Sequence, residues 1–167
     1  MYKRQSERRG IRAYYEITDT LKNQLLLDPN VKTVTSGDIT RINLEKAEIF
    51  PLSHVTLNSM TQSDNAGSGT LTFDVTIFSM DIISNDRKTD TVDLYIGNTN
   101  EQDIINTQLS VSNLIVQRMR GGDLFKDEFQ VLGDVSYEFF TERFSNELAG
   151  VAASFSITTY NDIWICT

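Results

Sequence analysis

The longest alternation of apolar and polar residues in the chain covers residues 70–83 and predicts a half-buried β-strand. The apolar face of its first half consists of Leu71, Phe73, Val75 and Ile77. The opposite face carries threonines and Asp74. After Ile77 the large residues occupy the other phase, which predicts either a β-bulge near Phe78 or a half-strand that is buried on both faces.

Two segments show the periodicity of amphipathic helices. Residues 10–27 place apolar side chains at three- and four-residue steps and end at Asp28-Pro29, where proline removes a backbone donor. Residues 101–120 form the second helix, with Asn100 as its N-cap and Gly121-Gly122 as its stop. The positions assigned to the apolar stripe of the first helix are Ile11, Tyr14, Tyr15, Thr18, Leu21, Leu25 and Leu26.

The region between the first helix and the central strand predicts further β-structure. Residues 31–35 alternate as a short strand, residues 39–50 suit an extended segment, and His54–Met60 suits a strand. Residues 61–69 are small and polar apart from one alanine, and they predict a hairpin loop of about nine residues. Together these segments predict a long β-hairpin over residues 54–83.

The last third of the chain predicts two antiparallel strands within residues 129–158. Residues 138–147 are expected to connect them. This connection contains Phe139, Phe140 and Phe144, which are interpreted as core residues, although an exposed anchor for a partner is the alternative.

The order of elements predicts an α+β fold. It would contain a single, mostly antiparallel β-sheet with a long hairpin, flanked by an N-terminal helix and a central amphipathic helix. A length of 167 residues suits a single domain covering residues 1–167.

Charge is distributed unevenly along the chain. The net charge is -8, but residues 1–12 contain five basic side chains and one acidic one, so this segment has a charge of +4 and the rest has -12. An acidic body disfavours general nucleic-acid binding. Residues 1–9 are expected to form a flexible basic arm. The basic residues of the arm and the helix start are Lys3, Arg4, Arg8, Arg9 and Arg12.

Cysteine content gives no argument for an oxidising compartment, so a reducing cytoplasmic setting is the default, and hydropathy gives no membrane helix. Cys166 is the only cysteine, so no disulfide can form within the chain, and no apolar run reaches the roughly 18 residues of a membrane helix. We therefore expect assembly in the cytoplasm and no membrane partner.

The residues contain no recognisable catalytic, metal or cofactor motif. His54 is the only histidine and lacks a nucleophile in a suitable context, so a structural or surface role is expected. One histidine and one cysteine give no zinc spacing, and Gly67-Ser68-Gly69 lacks the lysine and helix of a phosphate-binding loop. We expect a protein that is not an enzyme and uses no cofactor.

Three segments of the chain carry a resemblance to a known protein family. They are the first helix with its Asp28-Pro29 stop, residues 49–58 leading into the hairpin strand 70–80, and Gly122-Asp-Leu-Phe125 followed by Leu148-Ala-Gly-Val151 and a final strand. In element order the chain is similar to the tail-terminator, tail-completion and head-to-tail joining proteins of tailed bacteriophages. The resemblance implies a virion structural protein.

Such a protein would form a ring, expected to be hexameric, that caps the tail tube and joins it to the neck. Its partners would be further copies of the chain, the tail tube protein and neck or connector proteins, with the sheath added in a contractile tail. A passing contact of the basic arm with genomic DNA is compatible with its charge. The assembled protein would reside in the tail or neck of the virion.

Two regions are the candidate assembly interface. One is the basic arm with Arg12, and the other is the predicted hairpin loop. The interface residues in that loop are Thr61, Gln62, Ser63, Asp64, Asn65, Gly67, Ser68 and Gly69.

Other functions remain open at this stage. One alternative is another head-to-tail connector or neck subunit. A second is a monomeric module that binds a ligand such as carbohydrate through Tyr95, Trp164 and polar loops, and a third is a small hydrolase using Asp74 and Asp81.

Overall fold

The computed structural model describes residues 12–44, 46–65, 68–84, 100–121, 129–143 and 147–161. These residues form two α-helices, five β-strands and two short 3₁₀ helices. The helices are α1 (Arg12–Leu26) and α2 (Glu101–Gly121), and the 3₁₀ helices are Ile39–Arg41 and Ala47–Ile49. The strands are β1 (Thr33–Ser36), β2 (Leu52–Asn65), β3 (Ser68–Ile82), β4 (Gln130–Arg143) and β5 (Glu147–Tyr160).

The five strands form one mixed sheet in the order β1-β2-β3-β5-β4. The β2/β3, β3/β5 and β5/β4 pairs are antiparallel, and only the short β1 lies parallel to β2. The predicted α+β class, with an N-terminal helix, a central helix and a mostly antiparallel sheet, is confirmed.

Both helices pack on one side of the sheet, which we call the helix face. In α1 the buried positions recur every four residues, at Ala13, Ile17, Leu21 and Leu25, and α2 buries a complementary stripe centred on Val111 and Ile115. Acidic residues in the first turn of α2 and basic residues in its last turn complement the helix dipole. The strands contribute Val55, Leu71, Phe73, Val75, Ile77, Phe155 and Ile157 to this core.

Residues 39–50 cover part of the opposite side of the sheet, which we call the outer face. This segment was expected to be extended, but it forms the two 3₁₀ helices. Asp38 starts the first of them because its carboxylate accepts hydrogen bonds from the backbone N–H and the hydroxyl of Thr40. The apolar residues that the segment packs on the sheet are Ile39, Ile42, Leu44, Ile49 and Phe50, against Leu52, Phe78, Met80 and Leu148.

In the central strand, the large residues change faces after Ile77 because this half is buried on both faces, which was the second of the two predicted explanations. β3 pairs with β5 without interruption from Thr70 to Ile82, so there is no bulge at Phe78. The second half of β3 is instead covered on both sides, by α2, which contacts Ser79 and Ile83, and by residues 39–50. The bulge lies in β2, where Asn58 is the extra residue between Leu57 and Ser59.

The prediction of a nine-residue hairpin loop over residues 61–69 is wrong. β2 and β3 stay paired as far as Asn65 and Ser68, and Thr61 lies opposite Thr72, so residues 61–65 are strand. Polar composition misled the sequence argument, because a strand whose side chains are largely exposed needs no apolar residues.

The predicted connection over residues 138–147 is also largely strand. β4 continues to Arg143, with Phe140 opposite Gly150. Phe140 packs on Phe78, but Phe139 is exposed, so the core interpretation fails for that residue. Phe144 lies outside the described residues.

Among the described residues, neither helix is long and apolar enough to span a membrane.

Gly150 provides a test of how closely β3 and β5 approach. A Cβ atom on this residue would lie 2.3 Å from the carbonyl oxygen of Ser79 and 2.9 Å from the Cα of Met80. We expect Gly150→Ala to lower the free energy of unfolding by about 1–3 kcal/mol, because backbone atoms of β3 must shift. Urea denaturation followed by circular dichroism measures the change. Gly121→Ala is the matched control, because nothing lies within 4 Å of its Cβ position; it should be neutral or stabilise the helix by up to about 1 kcal/mol.

Candidate assembly surface

Within the described part of the chain, the outer edge of β2 is open along most of its length. β1 pairs only with residues 52–55, whereas β2 continues for ten further residues. The backbone N–H of Gly37 donates to the carbonyl of Val55, and the Thr56 hydroxyl donates to the carbonyl of Gly37. These two hydrogen bonds are the last that the β1 side makes with β2. From Leu57 to Asn65, no described strand pairs with this edge. Such an edge offers main-chain hydrogen-bonding groups to a further strand.

An apolar groove lies beside this open edge, where the start of α1 passes the bulge of β2. Its volume is about 490 Å³. The lining residues are Tyr14, Tyr15, Leu57, Asn58, Ser59, Met60 and Phe73. Tyr14 is 44% exposed, Tyr15 is 69% exposed and Met60 is 40% exposed, so large apolar side chains face solvent together.

The bulge at Asn58 positions Met60 in this groove. Before the bulge, Val55 and Leu57 point to the helix face; after it, Met60 lies opposite Phe73 and takes over that face. In a regular strand without the bulge, Asn58 would lie opposite Asp74 and Met60 opposite Thr72, so Met60 would point to the outer face.

The groove is not apparent in the sequence, because both tyrosines fit the apolar stripe predicted for the first helix. The four-residue spacing of Ala13, Ile17 and Leu21 was the available signal, because Tyr15 lies off that stripe.

The predicted interface residues are only partly brought together. Thr61, Gln62 and Ser63 lie exposed on the open part of β2. Asp64, Asn65, Ser68 and Gly69 belong to the paired end of the hairpin, and Arg12 is the first residue of α1. Gly67, Lys3, Arg4, Arg8 and Arg9 lie outside the described residues, as do Tyr95 and Trp164.

Hydroxyl groups cover the outer face beyond residues 39–50. The hydroxyls of Thr72 and Thr158 are 3.1 Å apart, and those of Thr76 and Ser154 are also 3.1 Å apart. The amide of Asn58 donates to the Thr76 hydroxyl at 2.8 Å. These cross-strand hydrogen bonds satisfy the polar side chains among themselves, as is typical of a solvent-facing sheet surface.

Asp74 and Asp81 do not form a carboxylate pair. They are seven residues apart on an uninterrupted strand, so they point to opposite faces of the sheet and lie about 23 Å apart along it. Hydrogen bonds donated by the hydroxyls of Ser59 and Ser156 lower the pKa of Asp74. The two carboxylates therefore cannot act on one substrate bond as general acid and base.

Asp81 lines a small cavity at the start of α2. The cavity has a volume of about 240 Å³ and also includes Pro51, Asp103 and Gln108 in its lining. Burial raises the pKa of Asp81, and the hydrogen bond from the N–H of Ile82 opposes that shift. Within the described part of the chain, Oε1 of Gln108 is buried without a hydrogen-bond partner.

His54 is a structural residue that fastens β1 to β2. Its ring is fully buried. Nε2 lies 3.0 Å from the carbonyl oxygen of Gly37, which can only accept, so the hydrogen is on Nε2 and Nδ1 accepts from the Thr35 hydroxyl at 2.8 Å. Burial lowers the pKa of His54, opposed by the Gly37 carbonyl and by the charge of Asp38.

The described residues contain no group of three or more histidine, cysteine, aspartate or glutamate side chains placed to hold a metal ion. Comparison of the chain with known proteins found no matching family model and no match among curated protein sequences.

The buried His54 predicts a pH dependence of stability. Its pKa in the folded state lies below the value of about 6.5 expected in the unfolded chain. As pH falls below 6.5, the unfolded state binds a proton that the folded state resists, so the free energy of unfolding decreases. Urea unfolding at pH 7.5 and pH 5.5 should show this decrease. In His54→Gln the decrease should be smaller, whatever that variant's stability at pH 7.5; an equal decrease would contradict the assignment.

The unpartnered oxygen of Gln108 predicts a stabilising substitution. Gln108→Met keeps the shape of the side chain and removes the buried polar groups, so we expect the free energy of unfolding to rise by about 1 kcal/mol. Thermal and urea denaturation measure the change. The control is Gln117→Met, at an exposed position of the same helix, which should stay within about 0.5 kcal/mol of the parent. Destabilisation by Gln108→Met alone would show that the amide is satisfied.

Proposed function

We propose that this chain is a structural subunit of a tailed-bacteriophage virion: a tail-terminator or tail-completion protein that forms a ring capping the tail tube and joining it to the neck. The observation that supports the proposal best is the open edge of β2, from Leu57 to Asn65, with an apolar groove beside it. The resemblance in element order to phage terminator proteins supplies the biological setting.

The open edge and the groove offer two kinds of binding interaction, main-chain hydrogen bonds and apolar contacts. Unpaired main-chain groups give affinity to any added strand, and an adjacent apolar depression selects a strand with a large side chain. The tyrosines of α1 form one wall of the groove, and the shifted half of β2 forms the other. A surface of this kind on a free subunit favours association.

Head-to-tail contacts explain why the association would end in a ring. When one surface of a subunit binds a different surface of the next, the assembly closes if the rotation between subunits permits it. A ring of this kind matches the round end of a tail tube. The hydroxyl-covered part of the outer face, whose polar groups are already paired, suits a surface that stays in contact with water.

Charge suits contacts between the subunit and its neighbours. Residues 1–12 are basic and the remainder of the chain is acidic. In a ring, the basic segment of each copy would meet the acidic body of another copy or of a neck protein, and electrostatic attraction would speed assembly.

Within the described residues, the ionisable groups do not form a catalytic arrangement that would favour an enzymatic function instead. His54 is hydrogen-bonded on both ring nitrogens, Asp74 is held by two serines, and Asp81 lies on the other face of the sheet. The function we propose therefore depends on shape and self-association.

Oligomer mass and tail length test the proposal together. Size-exclusion chromatography with light scattering should show a particle of about six times the 18.9 kDa chain mass, and negative-stain electron microscopy should show rings. In a phage lacking the gene, tail tubes should vary in length and fail to join heads. Supplying the protein should restore tails of one length.

Other results would support the alternatives. Rings with tails of normal length in the deletion phage would indicate a different neck or connector subunit. A monomer whose melting temperature rises with an added oligosaccharide would indicate a ligand-binding module, and either result would overturn the terminator assignment.

A further inference from the structure

The groove beside β2 has the properties of a site for an extended segment with one large aromatic side chain. It is about 490 Å³ in volume and is lined mainly by aromatic and aliphatic residues. A single tryptophan would cover much of the exposed surface of Tyr14, Tyr15 and Met60, since a tryptophan buries about 150–250 Å². The adjacent open edge would pair with the backbone of the same segment.

The chain itself contains such a segment immediately after β5. Residues 162–167 have the sequence Asp-Ile-Trp-Ile-Cys-Thr, which is rich in the β-branched and aromatic residues that favour strands. Trp164 is the only tryptophan in the chain.

The direction of β5 decides which copy receives this segment. β5 and β2 are both antiparallel to β3, so they run the same way. Tyr160 pairs with Thr70, and the N–H of Asn161 donates to the carbonyl of Gly69 at 2.9 Å, so the chain is still following β3 towards the end of the hairpin.

The groove of the same copy lies behind that point. Phe73 and Met60 align with Ile157, three residues, or about 10 Å, before Tyr160, and β2 is two strand spacings, or about 10 Å, to the side. Trp164 lies four residues beyond Tyr160, and four residues span at most about 14 Å when fully extended, which is no more than the diagonal distance to the groove. To place Trp164 in the groove of its own copy, the segment would have to reverse direction and cross β3 while almost fully extended. A neighbouring copy can receive the segment in the direction in which β5 already runs.

We propose that residues 162–167 of one copy add to the open edge of β2 in the next copy and place Trp164 in the groove formed by Tyr14, Tyr15, Leu57, Met60 and Phe73. The donating and receiving surfaces are different parts of one molecule, so the contact is head-to-tail and can close into a ring. This inference rests on the proposed function and names the contact that holds the ring together.

Fluorescence of Trp164 reports directly on the contact. In the full chain, emission should be blue-shifted in the assembled fraction and should move to longer wavelength when dilution produces monomers. Met60→Asp should weaken self-association by about tenfold or more and shift the emission to longer wavelength. The matched control is Leu114→Asp on α2, because Leu114 is 41% exposed and Met60 is 40% exposed; it should leave both readouts unchanged.

A mixing experiment identifies the receiving copy. Trp164→Ser has an intact groove and no aromatic anchor, whereas Met60→Asp has an intact anchor and a damaged groove. Each should be monomeric alone. Mixed in equal amounts, they should form a 1:1 dimer in light scattering, with blue-shifted emission from the single tryptophan in the Met60→Asp chain, because only one productive contact can form.

The outcomes separate this inference from the proposed function. Rings that persist in Trp164→Ser, with solvent-exposed Trp164 emission in the parent, would overturn the inference and leave the ring-forming role standing. Blue-shifted emission from a monomer at every concentration would show that the segment binds its own groove. A monomer with solvent-exposed emission would contradict both proposals.

Discussion

Close pairing between β3 and β5 is the constraint on which the rest of the molecule depends. The two strands stay in register over thirteen residue pairs, and Gly150 allows β5 to approach the backbone of Ser79 and Met80. This register determines which side chains face the helices and which face residues 39–50. Because a slip by one residue would exchange the two faces, the whole two-sided packing follows from this pair of strands.

The unequal lengths of β1 and β2 connect the fold to the proposed assembly. β1 protects four residues of the edge with the help of the buried His54 and its hydrogen bonds to Thr35 and Gly37. Beyond them no described strand covers the edge, and the bulge places Met60 against the tyrosines of α1. Natural sheets usually shield such an edge, and among the described residues no strand takes over this role from β1 beyond Val55.

Much of the fold could be predicted from the sequence, and the errors have physical causes. The bounds of α2 and the class of the fold follow from apolar periodicity and capping residues, which are local signals. The strand character of residues 61–65 and 138–143 could not be recognised, because pairing with β3 and β5 supplies their order while their own side chains are mostly polar or exposed. The groove was missed for a related reason: it joins Tyr15 to Met60, and nothing local to either residue indicates that they meet.

The bulge at Asn58 also divides β2 into two parts that differ in how many substitutions they can accommodate. Up to Leu57, β2 contributes to the packed interior and tolerates few changes. Past the bulge, the side chains of residues 59–63 are exposed and this part of β2 depends chiefly on main-chain pairing with β3. Substitutions in this outer part therefore change the surface of the molecule while leaving the interior that makes it fold unaltered.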